Sequence, residues 1–234
     1  MSEHSARGGS QADLAAYIDH ALLDPHQGSA SIRRLCEEAR HFNFAGVCVA
    51  SRWTSLAREH LPTQGSVKLI SVVGFPFGAI PAKVKYVEAE FAAAAGANEL
   101  DVVPDFGALA DGDSHKVLED LAAIAELDLP FKVILDMARL SPQALELLVE
   151  ISIDAGASCL KTGTGFGPAV QIEQVSQLKA LARGRAAIKA AGGIAGLAKA
   201  FALIEAGANR LGTSRSVALM DALRQPSPSY LEGT

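Results

Sequence analysis

Short apolar runs recur along the chain, separated by longer stretches with helical spacing. Runs at residues 67–73, 100–103, 131–135, 159–161, 187–190 and 210–212 are rich in Val, Ile, Leu and Ala. They lack polar alternation, the pattern of strands covered on both faces. A very short run at 17–19 is a further strand candidate. Between runs, Val84, Val87, Phe91 and Ala95 recur at helical spacing, with Lys83, Lys85, Glu88 and Glu90 mostly off that stripe. The pattern predicts a helix with an apolar face. Ser141-Pro142 reads as an N-cap followed by proline at the first helical position, and Leu145, Leu148 and Ser152 continue one face. Strands alternating with helices predict a parallel sheet.

A repeat sharpens this. Residues 95–101 (AGANELD), 155–161 (AGASCLK) and 206–212 (AGANRLG) resemble one another, and 44–49 (FAGVCV) is a weaker copy. Their glycines, Gly46, Gly96, Gly156 and Gly207, lie 50, 60 and 51 residues apart. Each is read as closing a helix, as a C′ glycine does, with a short strand after it. That period holds about two βα units, so four copies predict eight strands. Alternation alone also fits an open doubly wound sheet. The repeat favours an α/β, single-domain (β/α)8 TIM barrel, because a closed ring of equivalent units needs no switch point. In both architectures the active site lies at the carboxyl ends of the strands.

Composition narrows the setting. In 234 residues, 49% hydrophobic and 20% charged, a sizeable core can be buried, and 6% aromatics leave it to Ala, Val, Leu and Ile. Residues 1–10 and 225–234 read as loose tails around one domain spanning 11–224. A net charge of −5 argues against nucleic acid or an anionic membrane as partner, yet leaves room for a local phosphate site. No apolar run approaches the ~20 residues of a membrane span. The polar N-terminus does not read as a secretory signal. Cys36, Cys48 and Cys159 are too few and too scattered for a disulfide framework or zinc site. A reduced, cytoplasmic protein without metal is expected.

Candidate chemistry follows from where lysines fall in the strands. Lys68 and Lys132 sit at strand entrances, which assigns them to the stability face. Lys161 and Lys189 sit at strand exits before small residues, KTGTG and KAAGG, and are expected to point into the barrel mouth. Their bland alternative is ion pairing. Two ammonium groups in one desolvated mouth repel, so one amine is expected to lose its proton and act as a nucleophile towards a carbonyl. The residues alone do not choose which. Asp101 at a strand exit is a candidate proton shuttle or a salt-bridge partner of those lysines. Asp19 is a supporting candidate at the exit of the first strand, with an N-cap as its alternative. Cys48, mid-strand, reads as packing before chemistry, and His20 and Trp53 as structural. Glycine loops at 163–167, 192–193 and 212–214 follow three successive late strands, where barrels commonly hold phosphate on backbone amides. A different phosphosugar barrel enzyme, transaldolase-like or an isomerase, and a non-catalytic phosphosugar-binding barrel are the competing readings.

These residues, with IDHALL at 18–23, GVCV at 46–49, VVGFPFG at 72–78 and RLGTS at 210–214, make the chain resemble the deoxyribose-phosphate aldolases, class I (Schiff-base) enzymes on a (β/α)8 barrel. The resemblance runs nearly end to end. It implies reversible cleavage of 2-deoxy-D-ribose 5-phosphate to D-glyceraldehyde 3-phosphate and acetaldehyde, in deoxyribonucleotide catabolism. It implies Lys161 as the Schiff-base lysine, Lys189 as the lysine that perturbs it, and Asp101 as the acid in proton transfer. Phosphate binding falls to Gly165, Gly192, Gly193 and Ser214. No cofactor is implied, the partners are small phosphosugars and aldehydes, and a homo-oligomer, dimer or tetramer, is expected. The chain departs from the family pattern at Ala21, Asp136, Gly163, Ala191, Arg215 and the segment Pro104-Asp105-Phe106. Tyr230 is not terminal and is left out of the site.

Overall fold

The three full copies of the repeat form the same structure. A computed structural model describes residues 14–224; the reading of 1–10 and 225–234 as tails falls outside them. Gly96, Gly156 and Gly207 take φ of +92°, +93° and +119°. The N–H one residue on reaches back five residues: Ala97 to Ala92, Ala157 to Ser152 and Ala208 to Leu203, each at 3.0 Å. This is the Schellman closure, satisfying a carbonyl the helix end leaves open. Asn98, Ser158 and Asn209 then donate their N–H to the preceding strand, at Leu69, Phe131 and Ile188. The asparagines also accept from it, Asn98 Oδ1 from Leu69 and Asn209 Oδ1 from Ile188, both at 2.9 Å. The weaker copy departs. Its left-handed residue is Asn43, and Gly46 opens the next strand, where an added Cβ would lie 3.1 Å from Asp19 Oδ1.

Eight parallel strands result: β1 (Ile18–Leu22), β2 (Gly46–Ala50), β3 (Lys68–Val73), β4 (Glu99–Val102), β5 (Phe131–Ile134), β6 (Cys159–Lys161), β7 (Ala187–Ala191) and β8 (Arg210–Thr213). They pair in sequence order, and β8 pairs β1, closing the barrel. The helices between are α1 (Ser29–Phe42), α2 (Thr54–His60), α3 (Ala82–Ala94), the short α4 (Phe106–Ala110), α5 (Ser114–Ala125), α6 (Pro142–Asp154), α7 (Ile172–Ala182), α8 (Leu197–Glu205) and α9 (Ser216–Arg224). Ser141 caps α6 as the sequence indicates, its hydroxyl accepting from the Ala144 N–H at 3.2 Å.

One helix is turned from its sequence reading. The stripe of α3 faces outward: Val84, Val87 and Phe91 are 52%, 51% and 52% exposed. Its buried side carries Lys85, Ala89 and Ala92. Two small residues let α3 lie close on the barrel, and Lys85 finds a buried carboxylate, so packing there overrides the apolar pattern.

The barrel interior is divided. On the β2–β3 side, Cys48, Ile70 and Val72 form a small apolar cluster with Phe75 against it. On the opposite side the interior is filled by buried charged side chains.

Candidate active site

The charged cluster is centred on Asp101, the third residue of β4, which is fully buried. Its Oδ2 accepts from Lys161 Nζ at 3.0 Å and from Lys189 Nζ at 2.8 Å. Its Oδ1 accepts from Lys132 Nζ at 3.0 Å, and Lys132 also donates to Glu99 Oε2 at 2.5 Å. Lys161 ends β6 and Lys189 is its register partner on β7, so both amines enter the barrel at one level. Lys189 Nζ lies 2.6 Å from Asp19 Oδ2, and Asp19 Oδ1 accepts from Arg210 Nη1 at 2.7 Å.

Glycines make room for this cluster. At Gly212, opposite Asp19 on β8, an added Cβ would lie 3.1 Å from Lys189 Cε and 3.2 Å from Ala191 Cβ. The absence of a side chain at 46 and 212 therefore leaves room for Asp19 and Lys189 inside the barrel.

Burial alone would keep these groups neutral; opposite charges reverse that. Burial disfavours the ammonium of Lys189, but Asp101 and Asp19 hold its pKa well above the ordinary lysine value. Burial likewise opposes ionisation of Asp101, but Lys132, Lys189 and Lys161 hold it well below the ordinary carboxylate value. Asp19 is lowered in the same way by Lys189, Lys132 and Arg210. For Lys132, burial opposes the charge, but Asp101, Asp19 and Glu99 together outweigh it and raise the pKa. Burial pushes the Cys48 thiol up, which keeps it protonated, with Sγ 3.9 Å from Asp101 Oδ2.

Above the cluster opens a cavity of about 410 Å³ bordered by Lys161, Lys189 and Cys48. Gly165, Gly192, Gly193 and Ser214 line its far side, so the three glycine loops named from sequence converge on one space. Gly192 and Gly193 run at φ +108° and +64°. A Cβ at 193 would fall 2.5 Å from Ala169 Cβ, so only glycine lets this loop pack on its neighbour. Arg215 borders the cavity too. Phe75 and Phe166 meet edge to face at 5.6 Å, with Lys161 Nζ 5.9 Å from the Phe75 ring centre.

Lys161, Lys189, Asp101, Asp19 and Cys48 therefore meet at one point, with two corrections and two additions. Lys132 does not belong to the stability face: it is buried and bonded to Asp101, with which it is in register. Barrel strands tilt, so an entrance residue of one strand lies level with the middle of the next. Lys68, by contrast, is exposed. Asp19 is neither at a strand exit nor an N-cap; it is the second residue of β1 and points inward to Lys189 and Arg210. Glu99 and Arg210, linked at 3.6 Å, complete the cluster unforeseen. A charged residue opening each of β4 and β8 was the available signal. His20 stays structural, its ring nitrogen Nε2 bonded to Glu38 at 2.9 Å.

No family model matches the chain. Among curated proteins, it is 46% identical over 209 residues to a deoxyribose-phosphate aldolase of Thermosynechococcus vestitus, covering 89% of this chain and 96% of the relative. A Thermus thermophilus protein of the same name is 40% identical over 211 residues, covering 89% and 96%. Among solved structures, an aldolase named QR15 superposes with a TM-score of 0.87 at 35% identity, covering 91% of this chain and 96% of its own. A deoxyribose phosphate aldolase from Aeropyrum pernix, described as a unique tetramer, gives 0.82 at 33% identity, covering 92% and 93%.

Proposed function

The chain belongs to the deoxyribose-phosphate aldolase family of lyases, and from that premise we propose that it cleaves 2-deoxy-D-ribose 5-phosphate reversibly, through a Schiff base on Lys161. The observation that carries this reading is the sharing of Asp101 Oδ2 between Lys161 and Lys189. Lys189 is pinned in its charged form by two carboxylates. Lys132, Lys189 and Arg210 already balance Asp19, Asp101 and Glu99. Lys161 has Asp101 as its one carboxylate partner among the described residues, which leaves it as the amine placed to add to a carbonyl.

The steps follow from that assignment. Lys161 Nζ adds to the aldehyde carbon of the open-chain sugar, and loss of water leaves an iminium. Removal of the proton from the C3 hydroxyl breaks the C2–C3 bond; its electron pair passes into the iminium, giving an enamine. D-Glyceraldehyde 3-phosphate leaves. The enamine carbon takes a proton, and water releases acetaldehyde and regenerates the amine. Asp101, which accepts from both Lys161 and Lys189, forms with Lys189 the route by which protons enter and leave. Cys48 borders the same space as a neutral thiol.

The phosphate is assigned to the loops at Gly165, Gly192, Gly193 and Ser214. Their N–H groups donate to no protein acceptor among the described residues, and the first turn of α9 adds favourable polarity. The reading extends to deoxyribonucleotide catabolism in the cytoplasm and to a homo-oligomer; the exposed apolar face of α3 supports the latter. Among the described residues, no helix is long and apolar enough to cross a membrane.

Incubation with acetaldehyde and borohydride tests the chemistry. One ethyl group on Lys161, found by peptide mass spectrometry, is the expected result. Labelling of Lys189 instead, or no adduct, rejects the reading.

A further inference from the structure

A second pair of buried charges lies behind the active centre and takes no part in the steps above. Lys85 on α3 and Asp120 on α5 are both buried, and Lys85 Nζ donates to Asp120 Oδ2. Such a pair is seldom favoured by stability over apolar packing, so its surroundings matter. The same Asp120 oxygen accepts the N–H of Asp105 at 3.2 Å. Asp105 in turn caps α4, accepting from the Ala108 N–H at 3.0 Å, and pairs with Lys116 at 3.6 Å. The buried pair therefore ends on the loop that follows β4, the strand carrying Asp101. That loop is the Pro104-Asp105-Phe106 segment in which the sequence departs from its family.

The loop after β3 rests on the same group. Gly74 passes so close that an added Cβ would lie 3.2 Å from Lys85 Cε. The Gly74 N–H donates to Glu88 Oε2 at 2.8 Å, and Glu88 Oε1 accepts from the Ser51 hydroxyl at 2.7 Å. Lys85 and Glu88 are one helical turn apart on α3. Gly78 abuts the next loop, where an added Cβ would fall 2.1 Å from the Pro104 carbonyl oxygen. The two loops are thus in backbone contact and both are tied to α3. Between Gly74 and Gly78 stands Phe75, packed on Cys48, Ile70 and Val72, its ring beside Lys161.

We propose that Lys85 and Asp120 are positioning residues for the aldolase reaction: by locking the loop after β4 beneath the loop after β3, they hold the Phe75 ring against the Lys161 amine. The inference rests on Lys161 as the reacting amine. The ring shields the carbon bonded to Lys161 Nζ from water while the C2–C3 bond breaks. Once the ring is released, water adds to the iminium and returns free amine and intact sugar before cleavage. Turnover then suffers, whereas the phosphate grip, supplied by the loops after β6, β7 and β8, does not.

The test places a fluorophore on the loop. Trp53 is the chain's single tryptophan, so Trp53→Phe/Phe75→Trp reports on position 75 alone. Lys85→Met/Asp120→Asn is then added, which removes both charges and leaves neither buried unpaired. Acrylamide quenching of the tryptophan is expected to rise severalfold, and kcat on deoxyribose 5-phosphate to fall about tenfold with KM changed by less than about twofold. Unchanged quenching, unchanged kcat, or a loss carried by KM alone overturns the proposal. If the double change fails to fold, Glu88→Gln loosens Gly74 without touching the buried pair and must show the same coupled rise and fall; without it the proposal is wrong. Quenching needs no catalysis, and borohydride labelling of the parent reports on Lys161 separately, so failure of the loop idea and failure of the Schiff-base reading are told apart.

Discussion

Lys161 and Lys189 are register partners on adjacent strands whose amines converge on one atom, Asp101 Oδ2. They differ in what else they touch. Lys189 has a second carboxylate, Asp19, at 2.6 Å; Lys161 has no other carboxylate partner among the described residues, and an aromatic ring lies beside it instead. That asymmetry separates a lysine fixed between two carboxylates from one with a single carboxylate partner, a distinction the two strand exits alone leave open.

Replacing the fixed cation tests it. In Lys189→Met, Asp19 keeps only Arg210, and Asp101 loses one of three cations. Cleavage is expected to fall by roughly 10²–10⁴-fold, the range for a positioned proton-transfer group. Breaking a buried ion contact is expected to cost about 3–5 kcal/mol in urea unfolding. Near-parental kcat/KM would make Lys189 a structural residue.

Gly212 offers a subtler test of the same geometry. Its φ lies outside the left-handed region, so alanine is tolerated by the backbone. The new methyl would press on Lys189 Cε at 3.1 Å and Ala191 Cβ at 3.2 Å. The amine must shift by a few tenths of an ångström, and kcat of Gly212→Ala is expected to drop about tenfold while unfolding free energy changes by less than about 1 kcal/mol. Full activity would mean that the amine's exact placement is unimportant.

The parts of this molecule that were legible in its sequence are those set by local chemistry. The C′ glycines at 96, 156 and 207, the Ser141-Pro142 start of α6 and the apolar runs each declare themselves within a few residues, and the repeat multiplies them into eight strands. Lys161, Lys189 and Asp101 were visible because a charge in a short apolar strand is costly to bury unless it is paired or used. What stayed hidden depends on tilt and packing. Lys132 at the start of β5 lies level with Asp101 in β4 only because paired strands are staggered in a barrel. On α3 the outward turn of Val84, Val87 and Phe91 follows from the buried carboxylate that Lys85 meets on α5, a contact between residues 35 apart.

Lys132, the residue moved from the stability face into the centre, should govern acid stability. The ordinary carboxylate value is 3.8, and Asp101 and Asp19 lie below it in the folded chain. Their stabilisation is complete above that value and lost as pH falls through it towards the folded value. Lys132 and Lys189 are raised above 10.5, so their share is complete below that value and lost only as pH rises beyond it. From this cluster, urea midpoints are expected to be flat through the neutral range and to fall below about pH 4. After burial, Lys132 is the foremost influence on Asp101. Lys132→Met should therefore be less stable at neutral pH and lose less on acidification, because the Asp101 value moves back towards the ordinary one. Parallel curves for variant and parent would show that Lys132 does not hold Asp101 ionised.

Phosphate recognition has two rival sources at the β8 end of the cavity. The Arg215 N–H is already committed, donating to Thr213 Oγ1 at 3.0 Å, so only its guanidinium is available to an anion. That side chain is exposed at the rim, where water and salt screen it. Gly165, Gly192, Gly193 and Ser214 border the same cavity in a chain of net charge −5, and backbone amides act locally. Gly193→Val is a poor probe, since the added Cβ at 2.5 Å from Ala169 would move the loop itself. Arg215→Ala is the cleaner change. If the amides carry recognition, KM for deoxyribose 5-phosphate should rise less than about tenfold, and kcat/KM for unphosphorylated deoxyribose should not move. A bidentate guanidinium grip, at about 1.5–3 kcal/mol for a charge-assisted bond, would give a larger rise. Ionic strength adds a second reading: raising salt from about 0.05 to 0.5 M should leave the preference for the phosphorylated sugar largely intact in parent and variant alike. A steep salt dependence that vanishes in Arg215→Ala would assign the phosphate to the arginine and overturn the backbone cradle.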